Sequence, residues 1–287
     1  GIPDDNRTLI LLDGLPLNDG YTGGVRLGSL SLADVERVEV LRGPGSSLYG
    51  GNAMGGVVQV LTRMPDGPLA ELRVGYGDAL ASDFGVSNLR TTTVRLGNRY
   101  ESGLSLLATY ASRATDGYRS DLTTSTATPP GTITGAIAST TNTGGATRIM
   151  GERGSNSWRD YDAGFAVRYA FDARESIQLR LRRVYYEYGY GDPLTYLRDT
   201  AGQPVFNFTN GSSVLRQSAF TAGGGLNGRD IVQAVYDGVV AGGELRVQLA
   251  LIDSDGNRFA TPDTTGATLT GGPGRMTNTP NTTQLID

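Results

Sequence analysis

The sequence predicts a mainly β protein: an incomplete antiparallel transmembrane β-barrel of about seven strands with long extracellular loops, preceded by part of a small α/β unit. Three observations predict it. Forty-two glycines among 287 residues work against long helices, because glycine costs about 1 kcal/mol relative to alanine in a helix interior. From Leu69 onward, apolar residues recur at every second position, the period that puts alternate side chains on one face of a sheet. The connections between these segments are short at one end of the strands and very long at the other, as in outer-membrane barrels.

Residues 1–64 differ from the rest. Strands are expected at Thr8–Leu12, Val35–Leu41 and Val57–Thr62, separated by turns rich in Gly, Asn, Asp and Pro. Ser31-Leu32-Ala33-Asp34 suits a short helical turn leading into Val35. So short a unit buries only a modest core and needs a partner surface.

The alternation is clearest at Tyr161–Phe171. Tyr161, Ala163, Phe165, Val167, Tyr169 and Phe171 share one face, opposite Asp162, Gly164, Ala166, Arg168 and Ala170. Leu245, Val247, Leu249 and Leu251 repeat the pattern, as do Ile177, Leu179 and Leu181. After Leu181 the phase shifts near Arg183, which suggests a bulge. Weaker strands are expected at Leu69–Gly77, Thr91–Gly97, Gly103–Ala111 and Arg229–Val239. Short turns fall at 98–102, 172–175 and 241–243, whereas polar stretches run through 113–158 and 189–228, and a polar tail follows Asp253. An apolar row facing lipid and an Arg/Gln/Glu row facing a wet lumen fit this pattern. A soluble β-sandwich, its apolar rows facing an inner core, shares the alternation but not the loop asymmetry.

Composition excludes much chemistry. The chain has no cysteine and no histidine, so disulfides, Ser-His-Asp catalysis and the usual zinc sites are out. No catalytic residue, metal or cofactor is expected. The net charge of −4 leaves no basic footprint for nucleic acid. All the basic residues are arginine, so no phosphate loop ending in Gly-Lys can exist. Asp253-Ser254-Asp255-Gly256-Asn257 places its glycine too early for an EF-hand and reads as a surface turn.

One segment is specific. The run Glu36-Arg37-Val38-Glu39-Val40-Leu41-Arg42-Gly43-Pro44 continues through Ser46-Ser47-Leu48-Tyr49-Gly50 to Asn52-Ala53-Met54-Gly55-Gly56-Val57-Val58. It resembles the end of the plug domain of TonB-dependent outer-membrane receptors. Leu11-Leu12-Asp13-Gly14-Leu15-Pro16-Leu17-Asn18-Asp19 resembles the preceding plug strand with its apical loop, and Val58–Arg63 the final plug strand. The match covers nearly all of residues 6–64; beyond that the resemblance is one of architecture.

The resemblance implies a division at residues 1–64, the C-terminal part of a plug, and 65–287, the first barrel strands. It implies a receptor rather than an enzyme. In the bacterial outer membrane it would bind a scarce siderophore, cobalamin or glycan and import it by TonB-energised plug rearrangement. Partners would be membrane lipid, the TonB complex and the ligand; the complete barrel would be monomeric. Glu36, Arg37, Glu39, Arg42, Gly43, Pro44, Tyr49, Gly50, Gly55 and Gly56 would form the plug motif, with Glu39 and Arg42 bridging to the barrel wall. Asn18, Asp19 and Tyr21 are the ligand-contact candidates by position. A plugged barrel has about 22 strands, so the chain is expected to be a fragment that neither transports nor folds stably alone. Two alternatives stand beside this reading: a plugless channel or adhesin, which residues 36–62 argue against, and a soluble β-rich carbohydrate-binding protein.

Overall fold

The computed structural model describes residues 7–19, 23–25, 31, 34–45, 52–79, 87–254, 257–263, 265–272 and 274–286. The first strands are β1 (Thr8–Leu12), β2 (Leu15–Pro16), β3 (Val35–Arg42) and β4 (Gly56–Thr62). After them come β5 (Leu69–Gly77), β6 (Leu89–Arg99), β7 (Leu104–Thr115), and the shorter β8 (Leu122–Ser125), β9 (Ile137–Thr140) and β10 (Ala146–Glu152). Two long strands, β11 (Asn156–Ala170) and β12 (Ser176–Tyr190), precede the short β13 (Leu194–Thr195), β14 (Phe208–Asn210) and β15 (Ser213–Leu215). The last are β16 (Gly225–Val240), β17 (Gly243–Ser254), β18 (Arg258–Pro262), β19 (Gly274–Asn278) and β20 (Asn281–Ile286).

The N-terminal sheet has the order β2-β1-β4-β3, with β1 and β4 parallel. Asp13 and Gly14 both take positive φ, 49° and 88°, which makes the tight hairpin turn favoured by a right-handed strand twist. The expected helical turn at 31–34 lies mostly outside the described residues. The three expected strands are present, and β2 is an addition, too short for alternation to reveal.

The large sheet is a meander of neighbours β5, β6, β7, β11, β12, β16, β17 and β20, all antiparallel. Seven of these match the expected strands. The eighth, β20, was hidden in a polar tail. The sheet is open, and β5 forms one edge.

No bulge interrupts β12. Its ladders to β11 and β16 are continuous through Arg183, which corrects the expected phase shift. Arg183 stays on the outer face with Leu181, where it donates to Asp230 at 2.7 and 3.0 Å. The row leaves its apolar environment instead. One rung of cross-strand partners runs Leu72, Val94, Tyr110, Ala163, Arg183, Asp230, Asp253, apolar at one end and charged at the other. A bilayer boundary cuts a rung obliquely when strands tilt. Leu72 and Arg183 are four strand spacings apart, about 19 Å, so a tilt of about 40° raises one above the other by about 12 Å.

The long connections are not structureless. Residues between β7 and β11 and between β12 and β16 fold together: β10 pairs with β8, β9 and β13. Beneath them Met150, Leu197 and Phe220 are fully buried with Ala127, Phe208 and Leu215. Thr/Gly/Ser-rich composition concealed this core because its few apolar residues are scattered over two loops that meet only in space.

Candidate functional site

The N-terminal sheet lies against the inner face of the large sheet. Ile10, Leu12, Leu15, Leu17 and Val60 form one buried cluster with Ile231 of β16 and Ile252 of β17. Around that patch the contacts are polar, because alternation supplies the inner face with Gln178, Arg180, Arg182, Arg229, Gln233 and Gln248.

Three anchor points follow in order along the wall. At the first, the Asp13 carboxylate accepts from the Thr62 N–H at 2.9 Å and its hydroxyl at 2.8 Å, and pairs with the Arg180 guanidinium. The Asp13 carbonyl accepts from the Gln233 side chain at 3.0 Å. At the second, Arg182 donates to both Asp162 oxygens, at 2.8 and 2.5 Å, and lies 3.5 Å from Asp34. Asp162 also accepts from the Ser31 N–H at 2.8 Å. At the third, Arg229 donates to the Leu17 carbonyl at 2.6 Å and lies 3.9 Å from Asp19, which accepts from Asn257 at 3.1 Å. A cavity of about 40 Å³, lined by Asp13, Asp34, Thr62, Arg180, Arg182 and Gln233, separates the first two anchors. That is room enough for water.

The charges of β3 sit elsewhere. β3 is the edge of the sheet away from β1 and β2, and every residue from Glu36 to Arg42 is exposed. Glu39 accepts from Arg37 at 2.8 Å, and Arg37 lies 3.4 Å from Glu36. Among the described residues the ionic contacts to the wall are made by Asp13, Asp34 and Asp19. β16 and β17 pack on β1, β2, β4 and the loop after β2, with Val35 at the start of β3 at the margin of the cluster. Gly43 and Pro44 form the turn leaving β3. Gly55 donates its N–H to the Arg7 carbonyl at 2.7 Å. Gly56 starts β4 at φ 149°, where a Cβ would lie 2.7 Å from the Leu41 carbonyl oxygen. Tyr49 and Gly50 lie outside the described residues, as does Tyr21.

Asn18 is a brace. Its side-chain oxygen accepts from the Ile10 N–H at 2.9 Å, and its amide donates to the Thr8 and Gly23 carbonyls at 3.0 and 2.8 Å. Sequence reasoning found Asn18 and Asp19 by loop position but missed Arg180, Arg182 and Arg229. Their signal was arginine recurring in the polar row opposite an apolar one.

Comparison with known proteins agrees with this geometry. Residues 1–57 match the family described as TonB-dependent Receptor Plug Domain. The whole chain matches solved receptor structures at low identity. The ferric enterobactin receptor of Pseudomonas aeruginosa aligns at a TM-score of 0.54 and 14% identity, over 95% of this chain and 36% of that one. The siderophore receptor PirA of Acinetobacter baumannii gives 0.56 and 15%, over 98% and 36%. The FrpB iron transporter of Neisseria meningitidis gives 0.53 and 15%, over 98% and 37%. Residues 1–57 match the plug family, and the strands after them share the fold of the matched receptors' walls. The chain spans little more than a third of the receptors it matches. Within that span the plug meets its wall through the three arginine anchors, and the cooperating loops cap the end of the wall that carries β8, β9, β10 and β13.

Proposed function

We propose that this chain is part of an outer-membrane receptor that binds a siderophore-class ligand and imports it by TonB-energised movement of the plug. Residues 1–64 are the plug portion and 65–287 the wall. The observation that carries the reading is the seating of the Asp13-Gly14 turn. A folded sheet is held inside a wall by hydrogen bonds and ion pairs, while the wall's outer face is apolar. A passive channel has no use for such a plug. The siderophore and iron named for the matched receptors favour that ligand class.

Two assignments extend it. Val38 and Val40 continue, through their partners Val60 and Val58, the apolar row that Ile231 covers, and both are exposed. Further wall strands of the receptor cover them, with Glu36 and Arg42 of the same face meeting polar wall groups. Asp19 and Tyr21 are assigned as ligand contacts by their place in the chain after β2, and Asn18 braces the start of that segment through Thr8 and Ile10.

The test uses the receptor that carries this chain, in cells. Thr62→Cys and Arg180→Cys are joined by a short bismaleimide; the chain holds no other cysteine. Ligand binding should persist and uptake of radioactive ferric siderophore should stop. Uptake that continues in the cross-linked receptor, or in wild type after the proton gradient is collapsed, refutes the reading.

A further inference from the structure

The outward face of the wall has a cleft of its own where the apolar rows end. One rung of cross-strand partners runs Tyr76, Arg90, Ala114, Arg159, Glu187 across β5, β6, β7, β11 and β12. Each member lies an even number of residues from an exposed apolar one on its own strand, such as Leu72, Leu96, Tyr110, Phe165 or Leu181, so the rung faces away from the lumen. The next rung below it carries Tyr161 and Tyr185. Their rings stack with centroids 5.2 Å apart, and Tyr110 extends the row at 6.5 Å from Tyr161. Tyrosines on a lipid-facing surface gather where hydrocarbon gives way to headgroups, so the charged rung stands at headgroup level.

That rung is open between its charges. Arg90, Arg159 and Glu187 border a cleft of about 340 Å³, and the small outward residues Ala114, Ser157 and Gly189 leave it unfilled. A Cβ on Gly189 would meet no atom within 4 Å. Arg90 and Arg159 stand two strand spacings apart, about 10 Å, with only Ala114 between them.

Both arginines are well exposed, Arg90 by 65% and Arg159 by 68% of the side chain. Arg159 directs its Nε and one amino group to Glu187, at 2.7 and 2.5 Å, which is fewer than the five N–H donors of a guanidinium. Arg90 approaches Asp116 only to 3.5 Å. The carboxylates are fixed from the protein side: Glu187 also accepts from the Tyr185 hydroxyl at 3.0 Å, and Asp116 from the Asn88 amide at 2.7 Å. They hold the arginines upright and have lone pairs left for hydroxyl donors. Exposed pairs of this kind are weak, so a phosphate can share both guanidinium groups at little cost, whereas an ammonium group would find each acid already matched by arginine.

We propose that this cleft binds the phosphorylated sugar headgroup of a glycolipid in the surrounding leaflet. The phosphate lies between Arg90 and Arg159, sugar hydroxyls donate to Glu187 and Asp116, and the acyl chains run down over the tyrosine row and the apolar rows beneath it. The cleft opens directly onto that lipid-facing surface, which a free anion would leave unused. The proposal rests on the outer-membrane reading of the wall but not on import. The test is native mass spectrometry of the receptor that carries this chain, released from nanodiscs after titration with four probes. These are an acylated glucosamine disaccharide bisphosphate (lipid A), its phosphate-free analogue, phosphatidylethanolamine and inorganic phosphate. The bisphosphate should bind at least about tenfold more tightly than the other three, the factor expected for charge-assisted hydrogen bonds. Arg90→Gln and Arg159→Gln should each weaken it several-fold. Gly189→Phe, which fills the cleft and leaves every charge in place, should abolish binding. Arg183→Gln, a half-exposed outward arginine outside the cleft, should leave it unchanged. Equal binding of the phosphate-free lipid, of phosphatidylethanolamine or of inorganic phosphate would overturn the assignment, as would indifference to Gly189→Phe or an equal loss in Arg183→Gln. A receptor that enters bilayers yet binds none of the lipids refutes the cleft alone; one that does not enter bilayers refutes the membrane reading beneath it.

Discussion

Arg182 is held between two carboxylates, with 9% of its side chain exposed against 2% for Asp162 and 10% for Asp34. Replacing it by Met leaves both acids buried opposite each other without a counter-charge. Breaking a buried pair by removing one partner costs about 3–5 kcal/mol. If the cost falls on the docked plug, the undocked population rises between two and nearly four orders of magnitude. Asp162→Asn should approach this, because Arg182 then keeps only Asp34 at 3.5 Å. Asp34→Asn should cost less than Asp162→Asn: its contact with Arg182 is 3.5 Å, and its second oxygen has no hydrogen-bond partner among the described residues, so the neutral amide loses little pairing and sheds the desolvation cost of a buried charge. The reporter is Ile252→Cys, a site 4% exposed at the plug–wall contact in a chain without other cysteines. Its maleimide labelling rate in the detergent-solubilised receptor measures undocking. The ordering Arg182→Met, then Asp162→Asn, then Asp34→Asn is required. Equal rates for Arg182→Met and Asp34→Asn, or no acceleration by Arg182→Met, would refute the claim that this pair anchors the plug.

Two further outcomes follow from the placement of single residues. Leu179 faces outward in a rung of Leu106, Val167, Ala234 and Leu249, so Leu179→Arg should cost about 2–4 kcal/mol. Arg183→Leu, which loses a half-exposed pair with Asp230 and a 3.3 Å hydrogen bond to the Tyr161 hydroxyl, should change stability by about 1 kcal/mol or less; urea unfolding from lipid vesicles separates the two, and equal effects would remove the proposed boundary. In the loop domain, burial and the hydrogen bond to Glu152 push the Tyr196 hydroxyl from 10 to about 12. Because the folded state keeps a proton that the unfolded state gives up, this contribution is complete below pH 10 and lost as pH rises toward 12. Tyrosinate absorbance should therefore show a late-ionising tyrosine that Glu152→Gln returns toward pH 10, and loop proteolysis should quicken over the same interval.

The wall was legible because every second residue of β11, β12 and β17 states its face, and the motif of residues 36–62 pointed to the plug. The anchors were not legible. Asp13 is visible in sequence as half of an Asp-Gly turn, but nothing local says that its partner is Arg180, 167 positions away. With 25 arginines and 29 acids, pairing is a property of register and docking. The charge-dense β3 drew attention because its residues are adjacent in sequence. Within β3, Arg37 pairs with Glu36 and Glu39, while the isolated charges of the turn and loop pair with the wall strands. The Arg183 anomaly has a related origin: periodicity reports which face a side chain occupies, not whether that face is in hydrocarbon or water.

The polarity of the plug–wall contact bears on how a plug could move. Buried ion pairs are a poor means to raw stability, since well-packed apolar groups of similar volume often do as well or better. What they offer here is a different released state. Ile10, Leu12 and Val60 regain unfavourable contact with water when the sheet leaves Ile231 and Ile252. Asp13, Arg182 and the Leu17 carbonyl regain hydration. A seal of apolar contacts alone would set the full burial energy against any displacement, and the exposed patch would invite aggregation. Surrounding a small apolar cluster with three polar anchors lowers that barrier on the released side while keeping the docked geometry directional. The cavity lined by Asp34 and Arg182 places room for water beside the second anchor, so rehydration can begin there before the cluster parts. On this argument any change that keeps water out of that cavity should slow release more than it strengthens docking.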